Sequence, residues 1–170
     1  ILNIYTDAGS GEHNDVWPKE WAVDYIRVWK SNEGYQKVTK EYNIQNRQTG
    51  HYMYIDPDST AVKYGPLTDE NAAYAKWEKV KRGDYVLLKN CKTGEYLHIE
   101  NLTGYVEHGE VPATWWSAQW TESEVDGYTR LINRWQPDYS IHTEDYQWLI
   151  QYGNVPTTYC TSQWRFIPVS

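Results

Sequence analysis

The feature that most constrains this chain is a unit of about 43 residues written three times from residue 41 onward. The first copy runs through Asn46, Gly50-His51-Tyr52-Met53-Tyr54-Ile55-Asp56, Tyr64-Gly65 and Trp77. The second matches it with Asn90, Gly94-Glu95-Tyr96-Leu97-His98-Ile99-Glu100, His108-Gly109 and Gln119-Trp120. The third carries Asn133, Tyr139-Ser140-Ile141-His142-Thr143-Glu144, Tyr152-Gly153 and Gln163-Trp164. Gly65, Gly109 and Gly153 fall 44 residues apart twice, and Trp77, Trp120 and Trp164 fall 43 and 44 apart. A fold for this chain must lay down one supersecondary unit three times, over about 41–81, 84–123 and 127–167.

Within each copy apolar and polar residues alternate over short runs such as Tyr96-Leu97-His98-Ile99, cut by turn signals such as Gln48-Thr49-Gly50 and Lys92-Thr93-Gly94. No copy holds the i, i+3, i+4, i+7 apolar pattern of a helix for three turns, so the segments read as strands joined by hairpins. Three such copies predict an all-β fold that closes on itself and leaves no edge unpaired, a β-trefoil. A three-bladed propeller has the same arithmetic but too few blades. Trp77, Trp120 and Trp164, one per copy at an equivalent position, are expected to pack in the core and are excluded from the site.

Composition narrows the function. The 27 aromatic residues argue against disorder, and no run approaches the roughly 18 apolar residues of a membrane helix. A net charge of −7 without a basic block predicts neither a nucleic-acid nor an anionic-membrane partner. Cys91 and Cys160 fit no zinc pattern, leaving one bridge or two buried thiols open, and the five histidines show no metal-ligand spacing; no cofactor is expected.

The first 34 residues read as a different object from the trefoil over 35–170. Trp21-Ala22-Val23-Asp24-Tyr25-Ile26-Arg27-Val28-Trp29-Lys30 alternates strictly, as one long strand, and with the strand-like Ile1–Asp7 predicts an N-terminal hairpin. This segment resembles the closing strand of glycoside hydrolase family 16 catalytic domains, with Ser31–Gly34 as a linker. The resemblance implies a hydrolase domain upstream, secretion or display at the cell surface, and a monomeric module within a larger enzyme. That family's Glu-x-Asp-x-x-Glu motif is not found: Glu124-Val125-Asp126 begins it, but Thr129 stands where the second Glu belongs and Asp126-Gly127 reads as a turn. The expectation from the sequence is therefore that the chain itself is not an enzyme.

Binding a pyranose needs a flat aromatic face and groups that hydrogen-bond to vicinal hydroxyls. Asp56, Glu100 and Glu144 occupy one acidic position, nine residues before the repeated glycine in each copy, and His98 and His142 share another. The aromatic partner falls four or five residues before the core Trp. It is Trp115-Trp116 in the second copy and Tyr159 in the third, with Trp148 or Tyr146 as further rings; the first copy has Ala72-Ala73 there, and Tyr74 would have to substitute. Adjacent rings on an extended chain point to opposite sides, so one of Trp115 and Trp116 is expected to pack inward, the favoured exposed ring being Trp116. With His98-Ile99-Glu100-Asn101-Leu102-Thr103-Gly104-Tyr105 and Trp115-Trp116-Ser117-Ala118-Gln119-Trp120 in view, the chain resembles carbohydrate-binding module family 92. That resemblance implies a trefoil with up to three sugar sites, each built on an aromatic ring and an acid. It implies β-1,3- and β-1,6-glucan as the polysaccharide partner, with red-algal galactan such as carrageenan as the alternative. A trefoil that binds protein through one loop is the remaining reading.

Overall fold

The computed structural model describes residues 40–169 apart from Tyr146. They belong to the second of the two units into which the chain divides, Val38–Ser170. The strand expected over 21–30 and the N-terminal hairpin lie outside the described residues.

Each copy contributes four strands. The first holds β1 (Glu41–Asn46), β2 (Tyr52–Tyr54), β3 (Lys63–Gly65) and β4 (Lys76–Arg82). The second holds β5 (Tyr85–Asn90), β6 (Tyr96–His98), β7 (Glu107–Gly109) and β8 (Trp120–Val125). The third holds β9 (Tyr128–Asn133), β10 (Ser140–His142), β11 (Gln151–Gly153) and β12 (Trp164–Pro168). A short 3₁₀ turn precedes the last strand of each copy: Ala72–Ala75, Trp116–Ala118 and Cys160–Ser162. No α-helix occurs among the described residues.

Strand pairing closes a circuit. β1 pairs with β4, β4 with β5, β5 with β8, β8 with β9, β9 with β12, and β12 returns to β1, all antiparallel. Those six strands form a barrel without an open edge, which removes the unpaired rows of N–H and C=O that a flat sheet would expose. The remaining pairs β2–β3, β6–β7 and β10–β11 are hairpins. They meet through a ring of backbone hydrogen bonds: Val62 N–H donates to Val106 O (2.7 Å), Val106 N–H to Ile150 O (2.8 Å), and Ile150 N–H to Val62 O (2.9 Å).

The core is built from equivalent residues of the three copies. Trp77, Trp120 and Trp164 are fully buried, and each indole N–H donates to a carbonyl in its own copy, Met53 O (3.1 Å), Leu97 O (3.3 Å) and Ile141 O (3.3 Å). Val62, Val106 and Ile150 pack in the same cluster. The repeated glycines of β7 and β11 have a steric role. A Cβ on Gly109 would lie 3.0 Å from His98 Nε2, and one on Gly153 would lie 3.1 Å from His142 Nε2. Only glycine therefore leaves room for a buried imidazole on the facing strand. Asp126 and Gly127, with φ of 53° and 76°, form the two-residue hairpin turn between β8 and β9, the geometry such a turn requires.

Candidate functional site

In the second copy the chain leaves β7 and turns at Pro112, whose carbonyl accepts from Trp115 N–H (2.9 Å). The side-chain amide of Gln119 donates to Ala113 O (2.9 Å) and holds that loop closed. Trp115 is the extended residue in front of the 3₁₀ turn and Trp116 its first member. Both rings stay outside, 42 and 53% exposed, which corrects the expectation that one packs inward. Alternation applies to a straight extended chain, whereas this chain is bending into a 3₁₀ turn, and the residues it sends inward are Ser117 and Ala118.

Two further segments converge there. Ile99 N–H donates to Ser117 O (3.2 Å) and brings the end of β6, with Glu100, against the turn. From the third copy, Asn133 Nδ2 donates to the same Ser117 carbonyl (2.9 Å), while its Oδ1 accepts from Trp135 N–H (2.9 Å) and Gln136 N–H (3.2 Å). Asn133 thereby folds the turn after β9 so that Trp135, 39% exposed, joins the site. Glu100, Trp115, Trp116, Ser117 and Trp135 line an open cleft of about 280 Å³. Behind it the Arg134 guanidinium lies 4.2 Å from the Trp116 ring centre and 4.2 Å from that of Tyr85, and Nη1 donates to Gln119 Oε1 (2.6 Å). This bracket fixes the Trp116 ring by cation–π stacking. Trp135, one of the rings the core does not use, and Ser117 are not among the candidate site residues read from the sequence. The repeat register compares each copy with itself and gives no sign that the turn of one copy completes the site of its predecessor.

His98 and His142 lie beneath the acids. They are buried, and Nδ1 accepts from Glu100 N–H in one (3.2 Å) and from Glu144 N–H in the other (3.3 Å). Burial holds both imidazoles below the ordinary histidine pKa, against the opposing pull of Glu107 and Glu100 in the first case and of Glu144 and Asp145 in the second. They are neutral spacers that orient the acid's backbone.

The third copy keeps part of the arrangement. Tyr159 stands exposed before its 3₁₀ turn, and Thr161 Oγ1 donates to Glu144 Oε1 (2.5 Å). Cys160 replaces Trp116, and Gln48, whose N–H meets Asn46 Oδ1 (3.1 Å), stands where Trp135 does. Trp148, also of the third copy, is 54% exposed. Its ring packs on His51 (5.3 Å between centres) and Tyr64 (5.8 Å) of the first copy, with backbone φ of 64° where the second copy has Gly104. In the first copy, Asp56 is tied to Lys63 Nζ (2.5 Å), whose hydrogen bond, aided by Asp58 N–H, lowers the pKa of the carboxyl. Tyr74 packs, partly buried, against the core cluster. Cys91 and Cys160 are both free thiols, and Cys91 is exposed, so neither a bridge nor a buried pair forms; partial desolvation by its neighbours, reinforced by the Glu41 and Glu78 carboxylates, pushes the Cys91 thiol up to about 11. Among the described residues no group of three His, Cys, Asp or Glu is placed to hold a metal ion.

No protein-family model and no curated protein matches the chain. Among solved structures it is similar to a GlcNAcα1-4Gal-releasing endo-β-galactosidase from Clostridium perfringens, at 62% identity and a TM-score of 0.77 over 97% of this chain. The match spans 41% of that enzyme's length. The designed threefold-symmetric protein ThreeFoil is similar at 18% identity over 76% of this chain and 99% of its own, with a TM-score of 0.67. An exo-β-1,3-galactanase from Clostridium thermocellum is similar at 17% identity over 79% of this chain and 31% of its own, with a TM-score of 0.64. Likeness at these last two identities shows the fold alone, and that fold is trefoil-like.

The first similarity corrects one expectation. The missing Glu-x-Asp-x-x-Glu motif led to the reading that the chain is not an enzyme, yet 62% identity over nearly all of it joins it to an enzyme's sequence. The Glu-x-Asp-x-x-Glu motif belongs to one hydrolase family, and this chain spans less than half the length of the similar enzyme.

Proposed function

We propose that the trefoil is the carbohydrate-holding part of an endo-β-galactosidase-like enzyme and that its second-copy cleft takes a neutral, β-linked, galactose-containing glycan. The observation that carries this reading is the convergence of three exposed indoles with a carboxylate and a buried hydroxyl in one cleft. Indole faces receive the C–H side of a pyranose, and Glu100 accepts from its hydroxyls. At about 280 Å³ the cleft is at the small end of ligand sites, suited to one or two rings of a chain that continues into solvent. Galactose is placed first because of the identity to the Clostridium perfringens enzyme; β-1,3/β-1,6-glucan is second and rests on the His98–Tyr105 and Trp115–Trp120 segments. Such polymers are met outside the cell, so the enzyme is proposed to be secreted or held at the surface.

Charge favours a neutral ligand over sulfated galactan. Residues 33–170 carry 13 basic and 18 acidic side chains, a net of −5, so binding is expected to change little with salt. Affinity electrophoresis of this chain in gels containing β-1,4-galactan, laminarin, pustulan or κ-carrageenan tests the reading. Retardation by β-galactan that Glu100→Ala abolishes is expected; free migration in all four gels overturns it.

A further inference from the structure

Ser117 is 2% exposed, lines the cleft, and its Oγ is buried with no hydrogen-bond partner. Buried hydroxyls are nearly always paired, so an orphan at the floor of a ligand cleft calls for an explanation. The equivalent residue of the third copy supplies one. Asn46 Nδ2 donates to the Thr161 carbonyl as Asn133 Nδ2 does to that of Ser117, so the two residues occupy one structural position, and there Thr161 Oγ1 donates to Glu144 Oε1 at 2.5 Å. In one copy the hydroxyl and the acid are joined; in the other the same pair is apart, and the copy in which it is apart has the three-indole cleft.

Resting on the carbohydrate reading above, we infer that Ser117 is a positioning residue for Glu100: when a sugar occupies the cleft, the Glu100 carboxylate docks on the Ser117 hydroxyl. The hydroxyl donates its single proton to one carboxylate oxygen, leaving the other to accept from a sugar hydroxyl, so that the half-buried acid becomes a fixed acceptor. Seating the acid also satisfies the orphaned hydroxyl, so the glycan-bound state gains a charge-assisted bond that the free state lacks. In the third copy Thr161 holds Glu144 permanently.

Two substitutions separate this role from simple packing. With β-1,4-galactan as the probe and the chain as it stands, Ser117→Ala is expected to weaken binding about tenfold, the size of one charge-assisted hydrogen bond. Ser117→Thr, which restores the hydroxyl found in the third copy, is expected to bind within about twofold of the native chain. Native-level binding by Ser117→Ala, with the native chain itself retained, overturns the inference and leaves the carbohydrate reading standing. Equal loss in both variants also overturns it, since size and not the hydroxyl then matters. No retention of the native chain removes both. Should Ser117→Ala fail to fold, a crystal structure of the native chain with a galactan oligosaccharide decides: Ser117 Oγ within about 3.2 Å of Glu100 supports the docking, and a wider separation with sugar present overturns it.

Discussion

Six of the seven tryptophans of this domain divide into two groups that obey opposite constraints. Trp77, Trp120 and Trp164 are sealed, and their indole N–H groups satisfy carbonyls that water cannot reach. Trp115, Trp116 and Trp135 keep large faces in water around the cleft. Trp120→Phe therefore strands Leu97 O and leaves a gap, a combination expected to cost about 2–4 kcal/mol in urea unfolding. Trp116→Ala is expected to move stability by no more than about 1 kcal/mol, because half of the ring is exposed and its stacking on Arg134 is a surface contact, while lowering glycan affinity roughly 10-fold or more, an aromatic contact of about 1.4 kcal/mol. A Trp116→Ala variant that binds β-galactan as well as the native chain contradicts the site. The histidines act on stability through pH. Burial lowers His98 and His142 in the folded state, so below the ordinary value near 6.5 the unfolded chain binds more protons than the folded one, and stability falls as pH drops through that value. Thermal melts at pH 7.5 and 5.5 should show the loss. The double change His98→Tyr, His142→Tyr, which installs the Tyr54 of the first copy at both positions, should flatten it.

At the scale of elements, the site is a 3₁₀ turn from one copy faced by the turn after the first strand of the next. The third copy retains most of this frame: Glu144 is seated on Thr161, and Arg47, which donates to Gln163 Oε1 (2.5 Å) as Arg134 does to Gln119, is stacked on Tyr128 (4.6 Å). It lacks two rings. Cys160→Trp places an indole where Arg47 can back it, and Gln48→Trp supplies the counterpart of Trp135. The double variant is expected to raise the calorimetric stoichiometry for a short galactan oligosaccharide from one site to two; an unchanged stoichiometry shows that the frame alone is not sufficient. The same element explains what could be read beforehand. Strand period, turn residues and the 44-residue register specified twelve strands and three core indoles, because burial imposes the same residue on each copy. The acid Glu100 is a candidate because an acid recurs nine residues before the glycine of every copy, and the Trp115-Trp116 pair because it departs from the repeat where the core does not need it. Trp135 is not placed at the site by sequence, because it reaches the cleft from the next copy and a register aligns copies without placing them in space; Ser117 is not, because a lone serine in a repeat carries no sign of which acid it will face. The ring partners of Trp148, His51 and Tyr64, likewise lie in another copy and cannot be read from the register.

For the whole domain, closure is the dominant fact. β12 pairs with both β1 and β9, so the last strand joins the first copy to the third and completes the six-stranded circuit. At the hairpins a second closure, the Val62–Val106–Ile150 ring, gives each copy one hydrogen bond donated and one received. No member of that ring can open without releasing its neighbours, and all three side chains are fully buried in one cluster. Local fluctuation should therefore not expose these amides singly, and their exchange with solvent should require the global opening that frees all three copies together. Native-state hydrogen exchange is expected to give Val62, Val106 and Ile150 protection free energies that agree within about 0.5 kcal/mol, match the unfolding free energy from urea denaturation, and fall together in Trp164→Ala, whose lost core ring costs about 3–5 kcal/mol. If the Ile150 amide alone exchanged faster in that variant, the third copy would be opening by itself, and the ring would be a meeting of three independent units instead of the closure of one.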